Sequence, residues 1–340
     1  MKRLFTIVSV MIFAGITMSP VVFAEKRVFN LSNEILASSE YKREMKKEFD
    51  VSSMPTLNIK NEFGSINIIE GADDKIIFKI TITGKGKNNN LAREYAQTVN
   101  VDFAQNGNDI SAKTVFERLN CENCGRNVNY EVTVPKKTKL SLDSKFGDIK
   151  LNNVSEPVDI QIAFGKLYAN VLSEAKVKVQ HGGATINKCE SLTINSDFSK
   201  NKLGEVGSVS GRVSHGGIDI EQLGSAKLKS EFSNVNIQSL KKSFDAETFS
   251  HGSLTISDID YNFSNINVKA SFTKVRVLFN ENHSFKAILY CNFGSINTGN
   301  VAFYEKSLDK KDAVVGIVGK TKEPSPIVDI SNSHGNISFK

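Results

Sequence analysis

The sequence lacks tryptophan, has only four cysteines and contains no dense run of lysine or arginine. Proteins that bind nucleic acid usually carry such a basic cluster, so its absence argues against a nucleic-acid partner despite the formal net charge of +6. Beyond the first 24 residues, no apolar run is long enough to cross a bilayer, which predicts no transmembrane segment in the mature chain. The composition is otherwise that of a folded protein, with 40% hydrophobic and 24% charged residues.

Motifs that would mark an enzyme are also missing. The sequence contains no G-x-S-x-G, H-E-x-x-H or phosphate-binding loop. A zinc site would need a second cysteine pair beside Cys121 and Cys124, and Cys189 and Cys291 lie far apart at predicted core positions. The sequence therefore predicts no catalytic residue, no cofactor and no metal site.

The pair Cys121 and Cys124 is the one cysteine motif. A redox C-x-x-C normally opens a helix in a βαβ unit, whereas this pair lies in a polar loop with no such pattern. In an oxidising compartment, a local disulfide is the favoured interpretation.

Residues 1–24 have the pattern of a secretory signal peptide. Lys2 and Arg3 form a positive start, residues 4–16 form a short apolar stretch, and Val22-Phe23-Ala24 suits cleavage. We expect an exported protein of the periplasm, cell surface or extracellular space.

A repeated phrase dominates the rest of the chain. Each copy centres on a phenylalanine or histidine, which we call the anchor, and the copies recur every 17 to 21 residues. The anchors are Phe146, Phe164, His181, Phe198, His215, Phe232, His251, Phe272 and Phe293. Phe63 and His334 lie in similar phrases at either end.

Each repeat has the same apolar pattern. Apolar or small residues stand four and two before the anchor, Gly, Ser or Thr follows it, and apolar residues stand three, five and often eight after it. In each strand apolar and polar residues alternate, and this alternation shifts by one residue at the Gly, Ser or Thr between the two strands. Such a shift indicates a corner. The sequence thus predicts an all-β fold, a single-stranded parallel β-helix or β-solenoid of about 17–21 residues per coil, with right-handed winding expected.

The anchor lies an even number of residues after the inward residues that precede it, so it is predicted to point inward as they do. Anchors of successive coils are then expected to stack as an internal ladder. Three anchors and His334 of the outlying phrase are histidines, and two interpretations stay open for these four residues. They are structural corner residues bonded to the backbone, or they are metal ligands. Histidines two coils apart would be about 10 Å from each other, too far to share one ion.

The repeat divides the chain. We predict a signal peptide at residues 1–24, an N-terminal cap and first coil at 25–68, and a β-rich insertion with one short helix at 69–137. The regular solenoid is assigned to 138–300 and an interrupted C-terminal coil and cap to 301–340. The outward rows are rich in Asn, Ser, Thr and Lys and gather no opposed carboxylates, which argues against a polysaccharide lyase or hydrolase.

Several phrases carry a family resemblance. "LSLDSKFGDIKLNNV", "HGGATIN", "FSNVNI" and "SHGNISF" resemble the DUF4097 group of exported β-solenoids, described as candidate adhesins and related to head-domain adhesins of Bacteroidetes. The likeness covers roughly residues 43–340 and implies no active site. The expected function is a non-catalytic binding or scaffolding protein of the envelope or surface, with a protein or glycan partner. The alternatives are a periplasmic structural or envelope-stress protein without an external ligand and, less favoured, a polysaccharide-active enzyme.

Overall fold

The computed structural model describes residues 39–71 and 74–340. The predicted signal peptide and the start of the predicted N-terminal cap lie outside the described residues. No helix within the described residues is long and apolar enough to cross a membrane.

The described residues form strands joined in one sheet, with one helix. The N-terminal elements are β1 (Ser39–Asp50), β2 (Thr56–Glu62), β3 (Ile66–Glu70), β4 (Lys75–Gly86), α1 (Asn89–Gln97), β5 (Val99–Asn106), β6 (Asp109–Phe116) and β7 (Gly125–Val134). The regular elements are β8 (Lys139–Lys145), β9 (Ile149–Val154), β10 (Val158–Ala163), β11 (Lys166–Gln180), β12 (Gly183–Asp197), β13 (Lys200–Ser214), β14 (Gly217–Glu231), β15 (Asn234–Ile256) and β16 (Asn265–Val277). The C-terminal elements are β17 (Phe285–Asn292), β18 (Ser295–Asn297), β19 (Phe303–Asp309), β20 (Ala313–Val318), β21 (Ile327–Ser333) and β22 (Asn336–Phe339).

The regular part is a stack of parallel coils, which confirms the predicted β-solenoid. Strand β11 pairs in parallel with β12 from Lys166 opposite Gly183 to Gln180 opposite Asp197, and β12 to β15 continue the same pairing. Because side chains alternate along a strand, every second residue of each coil enters the core. Ile160, Val177 and Ile194 are fully buried in this way, one above another.

The position eight residues after an anchor also points inward in seven coils, as predicted. Its occupants are all buried: Val154, Leu172, Cys189, Val206, Leu223, Leu240 and Ile259. The residues just before and after this position are mostly polar or exposed, so the chain bends around a single inward side chain. This position fills the far bend of the coil, opposite the anchor.

The coils do not follow chain order at the C-terminal end. Strand β21 pairs in parallel with both β16 and β17, and β22 pairs with both β16 and β18. The final coil therefore inserts between the coil that contains Phe272 and the coil that contains Phe293. Strands β19 and β20 form an antiparallel hairpin against the outer edge of β17. This position of the final coil was not predicted, because the repeated sequence pattern indicates how one coil folds but not which coils lie beside it.

The N-terminal end is closed by the segment between β3 and β8. Strands β6 and β7 pair in parallel with β2 and β3, β4 pairs antiparallel with β7, and β1 pairs antiparallel with β4. The predicted short helix is α1, and its N-cap is Asn88. The Asn88 side chain accepts a hydrogen bond from the Leu91 N–H at 2.9 Å, which satisfies a free donor of the first turn.

We predict that Leu223→Ala lowers the free energy of unfolding by about 3 kcal/mol, because it empties a buried position that its neighbours in the stack cannot refill. Urea denaturation followed by circular dichroism measures this loss. The adjacent exposed substitution Gln222→Ala is the control and should change stability by less than about 0.5 kcal/mol. Equal losses in the two variants would contradict the inward assignment.

Candidate binding site: an exposed aromatic ladder

The anchors form a continuous stack of rings along one corner of the solenoid. Adjacent ring centroids are 4.6–5.2 Å apart and the ring planes differ by only 4–18°. We call this stack the aromatic ladder. Its members, in spatial order, are Phe63, Phe146, Phe164, His181, Phe198, His215, Phe232, His251, Phe272, His334 and Phe293. Phe63 and His334, which the spacing left as outliers, are full members.

Every residue of the aromatic ladder has a left-handed backbone, with φ between 48° and 59°. Side chains other than glycine adopt this conformation at a cost of about 1–2 kcal/mol per residue, because Cβ approaches the following carbonyl oxygen. The same strained conformation recurs in every coil, so it is the turn that the corner requires.

The prediction that the anchors point inward is wrong. Phe164 and Phe232 are each 52% exposed, and all four histidines of the aromatic ladder are exposed. The residue two before the anchor and the residue three after it are buried instead, as Ser230 and Val235 are around Phe232. A left-handed residue reverses the alternation of a strand, so parity alone assigned the ring to the wrong side.

The histidines of the aromatic ladder alternate with phenylalanines and do not converge on a metal site. A phenylalanine ring stacks against each face of His181, His215 and His251. Within the part of the chain that the structure describes, no group of three or more His, Cys, Asp or Glu side chains is placed to hold a metal ion. The flat imidazole thus substitutes for a phenyl ring in the stack.

The residue after each anchor closes the inside of the corner. A Cβ on Gly216 would overlap the carbonyl oxygen of Ser199 in the preceding coil, so glycine is required there. Where a serine follows the anchor, its hydroxyl joins two coils: Ser233 Oγ accepts from the Gly216 N–H at 3.0 Å and donates to the Glu231 carbonyl at 2.8 Å. This tight packing on the inside holds the rings of the aromatic ladder on the outside.

The two ends of the aromatic ladder differ. At the N-terminal end, Phe116 packs edge-on against Phe63, and the guanidinium of Arg126 lies 4.3 Å from the centre of the Phe116 ring. At the other end, Phe293 is 82% exposed. Neither Phe116 nor Arg126 was predicted to belong to the site, because both lie in the insertion, where the repeat phrase is absent.

The sheet face that follows the anchors carries a shallow polar groove. Its lining includes Lys202, Gly204, Asp219, Glu221 and Asn236. Asp219 and Glu221 belong to one strand, and Asp219 Oδ1 accepts a hydrogen bond from Asn236 Nδ2 at 2.7 Å. Glycoside hydrolases place two carboxyl groups on either side of the scissile bond, whereas Asp219 and Glu221 lie two residues apart along one strand.

The cysteines fall into two classes. Cys121 and Cys124 are joined in a disulfide, with Cα atoms 5.6 Å apart, in the loop between β6 and β7. Cys189 and Cys291 are free and buried, as their inward positions predicted. Burial raises the pKa of the Cys189 thiol to about 11, and burial also raises the pKa of the Cys291 thiol.

We expect both free thiols to be inert in the folded chain, because a raised pKa and burial suppress the reactive thiolate. A thiol-specific disulfide reagent at pH 8 should detect no thiol under native conditions and both Cys189 and Cys291 in guanidinium chloride. Rapid reaction of either thiol in the folded protein would refute their placement in the core.

The left-handed corner can be tested at Phe198. Phe198→Gly should be about 1 kcal/mol more stable than Phe198→Ala, because glycine avoids the penalty on Cβ at positive φ. Lys200 lies in the following strand, where glycine should be the less stable of the same two substitutions by about 0.5–1 kcal/mol. Urea denaturation of the four variants measures both differences. The same order at both positions would contradict a left-handed corner.

Comparison with known proteins agrees with this geometry. The sequence model of the Toastrack DUF4097 family matches residues 55–340. Among proteins of curated function, none matches the sequence.

Solved structures with similarity to the chain include a "putative cell adhesion protein" from Clostridium sporogenes, with 12% identity and a TM-score of 0.21, covering 88% of this chain and 99% of the other. Another is a "putative adhesin" from Bacteroides fragilis, with 10% identity and a TM-score of 0.33, covering 88% and 97%. A third is a "putative lipid binding protein" from Parabacteroides distasonis, with 9% identity and a TM-score of 0.36, covering 87% and 96%. At such TM-scores these likenesses carry no argument about function. The family match covers most of the chain and all of its regular coils, and the chain belongs to the Toastrack DUF4097 family.

Proposed function

We propose that this protein is an exported, non-catalytic, adhesin-like solenoid that binds a component of the cell envelope or cell surface through the aromatic ladder. The observation that carries the proposal is the exposure of a phenylalanine or histidine at the anchor corner of coil after coil. Exposed apolar residues scattered singly are ordinary on a protein surface, whereas a contiguous row points to an interaction site.

Folding alone does not explain the choice of these residues. A stacked aromatic pair contributes about 0.5–1.5 kcal/mol, while the left-handed backbone costs each non-glycine residue about 1–2 kcal/mol. The two effects nearly cancel in each coil. Glycine or asparagine would make the same turn at lower cost. A row of rings therefore adds little net stability to the fold, and binding of a partner accounts for its presence.

The rows beside the aromatic ladder favour binding over catalysis. They carry amides, hydroxyls and lysines, such as Lys166, Lys200 and Asn234, and no opposed pair of carboxylates. A scaffold role without an external ligand is the competing function.

The test is binding of the full chain, recovered from the exported fraction, to intact cells and to isolated envelopes. The test variant removes three rings from the aromatic ladder: Phe164→Ser, Phe198→Ser and Phe232→Ser. The control removes three exposed apolar side chains elsewhere: Tyr168→Ser, Val171→Ser and Tyr261→Ser. We expect the first variant to lose most of its binding and the control to keep it.

Equal binding by both variants, or no binding by the unaltered chain, would overturn the proposed function. The location is tested separately by protease digestion of intact cells and of cells whose outer membrane has been opened. Digestion on intact cells supports a surface role. Protection until the membrane is opened places the chain in the periplasm and favours the scaffold role.

A further inference from the structure

The shape of the aromatic ladder restricts what it can bind. Stacked rings cover one another's faces, so the solvent meets ring edges along the corner, and only Phe293 ends the row. Sugars and planar ligands both stack on ring faces, and small molecules bind in concave pockets. An exposed convex corner offers neither. A partner that is itself an extended surface fits this shape.

The length of the corner supports the same conclusion. Successive coils of a parallel sheet stack about 4.8 Å apart, so the aromatic ladder is on the order of 50 Å long. Its rings lie in nearly parallel planes along that length. A row of rings of this length can contact an extended surface at several coils.

Basic residues accompany the rings on both sides. We call them the flanking lysines: they lie two residues after an anchor or three residues before one, and all are exposed. They are Lys166, Lys200 and Lys274 on one side and Lys60, Lys178, Lys229 and Lys269 on the other. Within residues 39–71 and 74–340, none of them takes part in an ion pair with a carboxylate.

The acids next to the aromatic ladder are mostly engaged already. Glu62 lies 3.6 Å from Lys145 and Glu231 lies 2.6 Å from Arg212. Asp148 accepts a hydrogen bond from the backbone N–H of Lys166 at 2.8 Å. Asp197 Oδ1 lies 3.4 Å from His215 Nδ1.

Asp143 is a further acid of the flanking rows and forms no ion pair within the described residues. Asp143, Asp148 and Asp197 have no Lys or Arg partner within the described residues, so three carboxylates stand against seven flanking lysines, and the corner keeps a surplus of positive charge. The corner therefore combines an apolar edge with unpaired cations.

We propose that the aromatic ladder lies along the surface of an anionic lipid bilayer, with the flanking lysines on the headgroups. This rests on the proposed binding function and names the partner. A bilayer interface is an extended surface that is both apolar at its boundary and negatively charged. Exposed phenylalanine edges enter the boundary between headgroups and acyl chains, and lysines within a Debye length are attracted to anionic headgroups.

The experiment is sedimentation of the exported chain with vesicles of phosphatidylcholine alone and of phosphatidylcholine with 30% phosphatidylglycerol. We expect binding to the anionic vesicles only, and weaker binding in 0.5 M NaCl. Replacing Lys166, Lys200 and Lys274 with Gln should lower the partition coefficient about a hundredfold, since each lysine near an anionic surface strengthens binding about fivefold. The three-ring serine variant should lose at least about tenfold, because its apolar contact is removed.

The matched control carries the same change of charge at the far bend: Lys136→Gln, Lys137→Gln and Lys242→Gln. These residues lie nine or ten positions from an anchor, and the variant should bind anionic vesicles like the unaltered chain. Urea denaturation of each variant shows that it is folded, so a loss of binding is not a loss of structure.

Absence of binding to anionic vesicles overturns the bilayer as partner, and so does equal loss in the flanking-lysine and far-bend variants. If ring-dependent binding to isolated envelopes persists in that case, the proposed function stands and the partner is a protein or glycan of the envelope. If ring-dependent binding is absent from both envelopes and vesicles, both proposals are wrong.

Discussion

Parallel stacking of coils in register is the constraint on which the rest of the structure depends. Each residue lies directly above its equivalent in the preceding coil, about 4.8 Å away, so any feature of one coil is repeated along the stack. The core becomes rows of Ile, Val and Leu, and the far bend becomes the row that contains Leu172 and Leu223. The aromatic ladder results from the same repetition of equivalent residues, at an exposed corner. A ring in a strained turn gains a neighbour on each face only because the next coil places its own ring at the same point.

Close packing on the inside of the corner explains why the anchor side chain points outward in every coil. Backbones of adjacent coils approach so closely at the residue after the anchor that a Cβ on Gly182 or Gly216 would overlap a carbonyl oxygen. Ser199 and Ser233 fit because their hydroxyls bond to glycine N–H groups of the preceding coil. With the interior so filled, a large side chain at the anchor has room only in solvent. A surface of this kind is set by backbone geometry, which recurs at every corner of the stack.

Much of this fold could be predicted from the sequence, since the same pattern of apolar residues recurs in each coil. The inward positions, the far bend and the buried free cysteines Cys189 and Cys291 follow from parity and spacing. The direction of the anchors could not be obtained that way. Parity assumes an extended backbone, and Phe198 at φ 48° is not extended. A glycine, serine or threonine after each anchor was the available sign of a tight turn, and it did not reveal the hand of the residue before it.

The ends of the stack were also beyond prediction. The coil of His334 inserts beside that of Phe272 because strand edges pair by geometry and not by chain order. Phe116 and Arg126 extend the site at the other end through contacts between segments that share no repeat phrase. These features depend on which edges the caps must cover, because an uncovered edge exposes unpaired backbone groups.

The most direct measurement is chemical footprinting of histidine with diethylpyrocarbonate, read by mass spectrometry, on the free chain and on the chain bound to envelopes. His181, His215, His251 and His334 are exposed in the aromatic ladder, whereas His283 is buried with its Nε2 3.1 Å from the Ile259 carbonyl oxygen. Our account predicts that the four ladder histidines react in the free chain, that His283 does not, and that binding protects the four together. Unreactive ladder histidines in the free chain, or reactivity unchanged by binding, would contradict it.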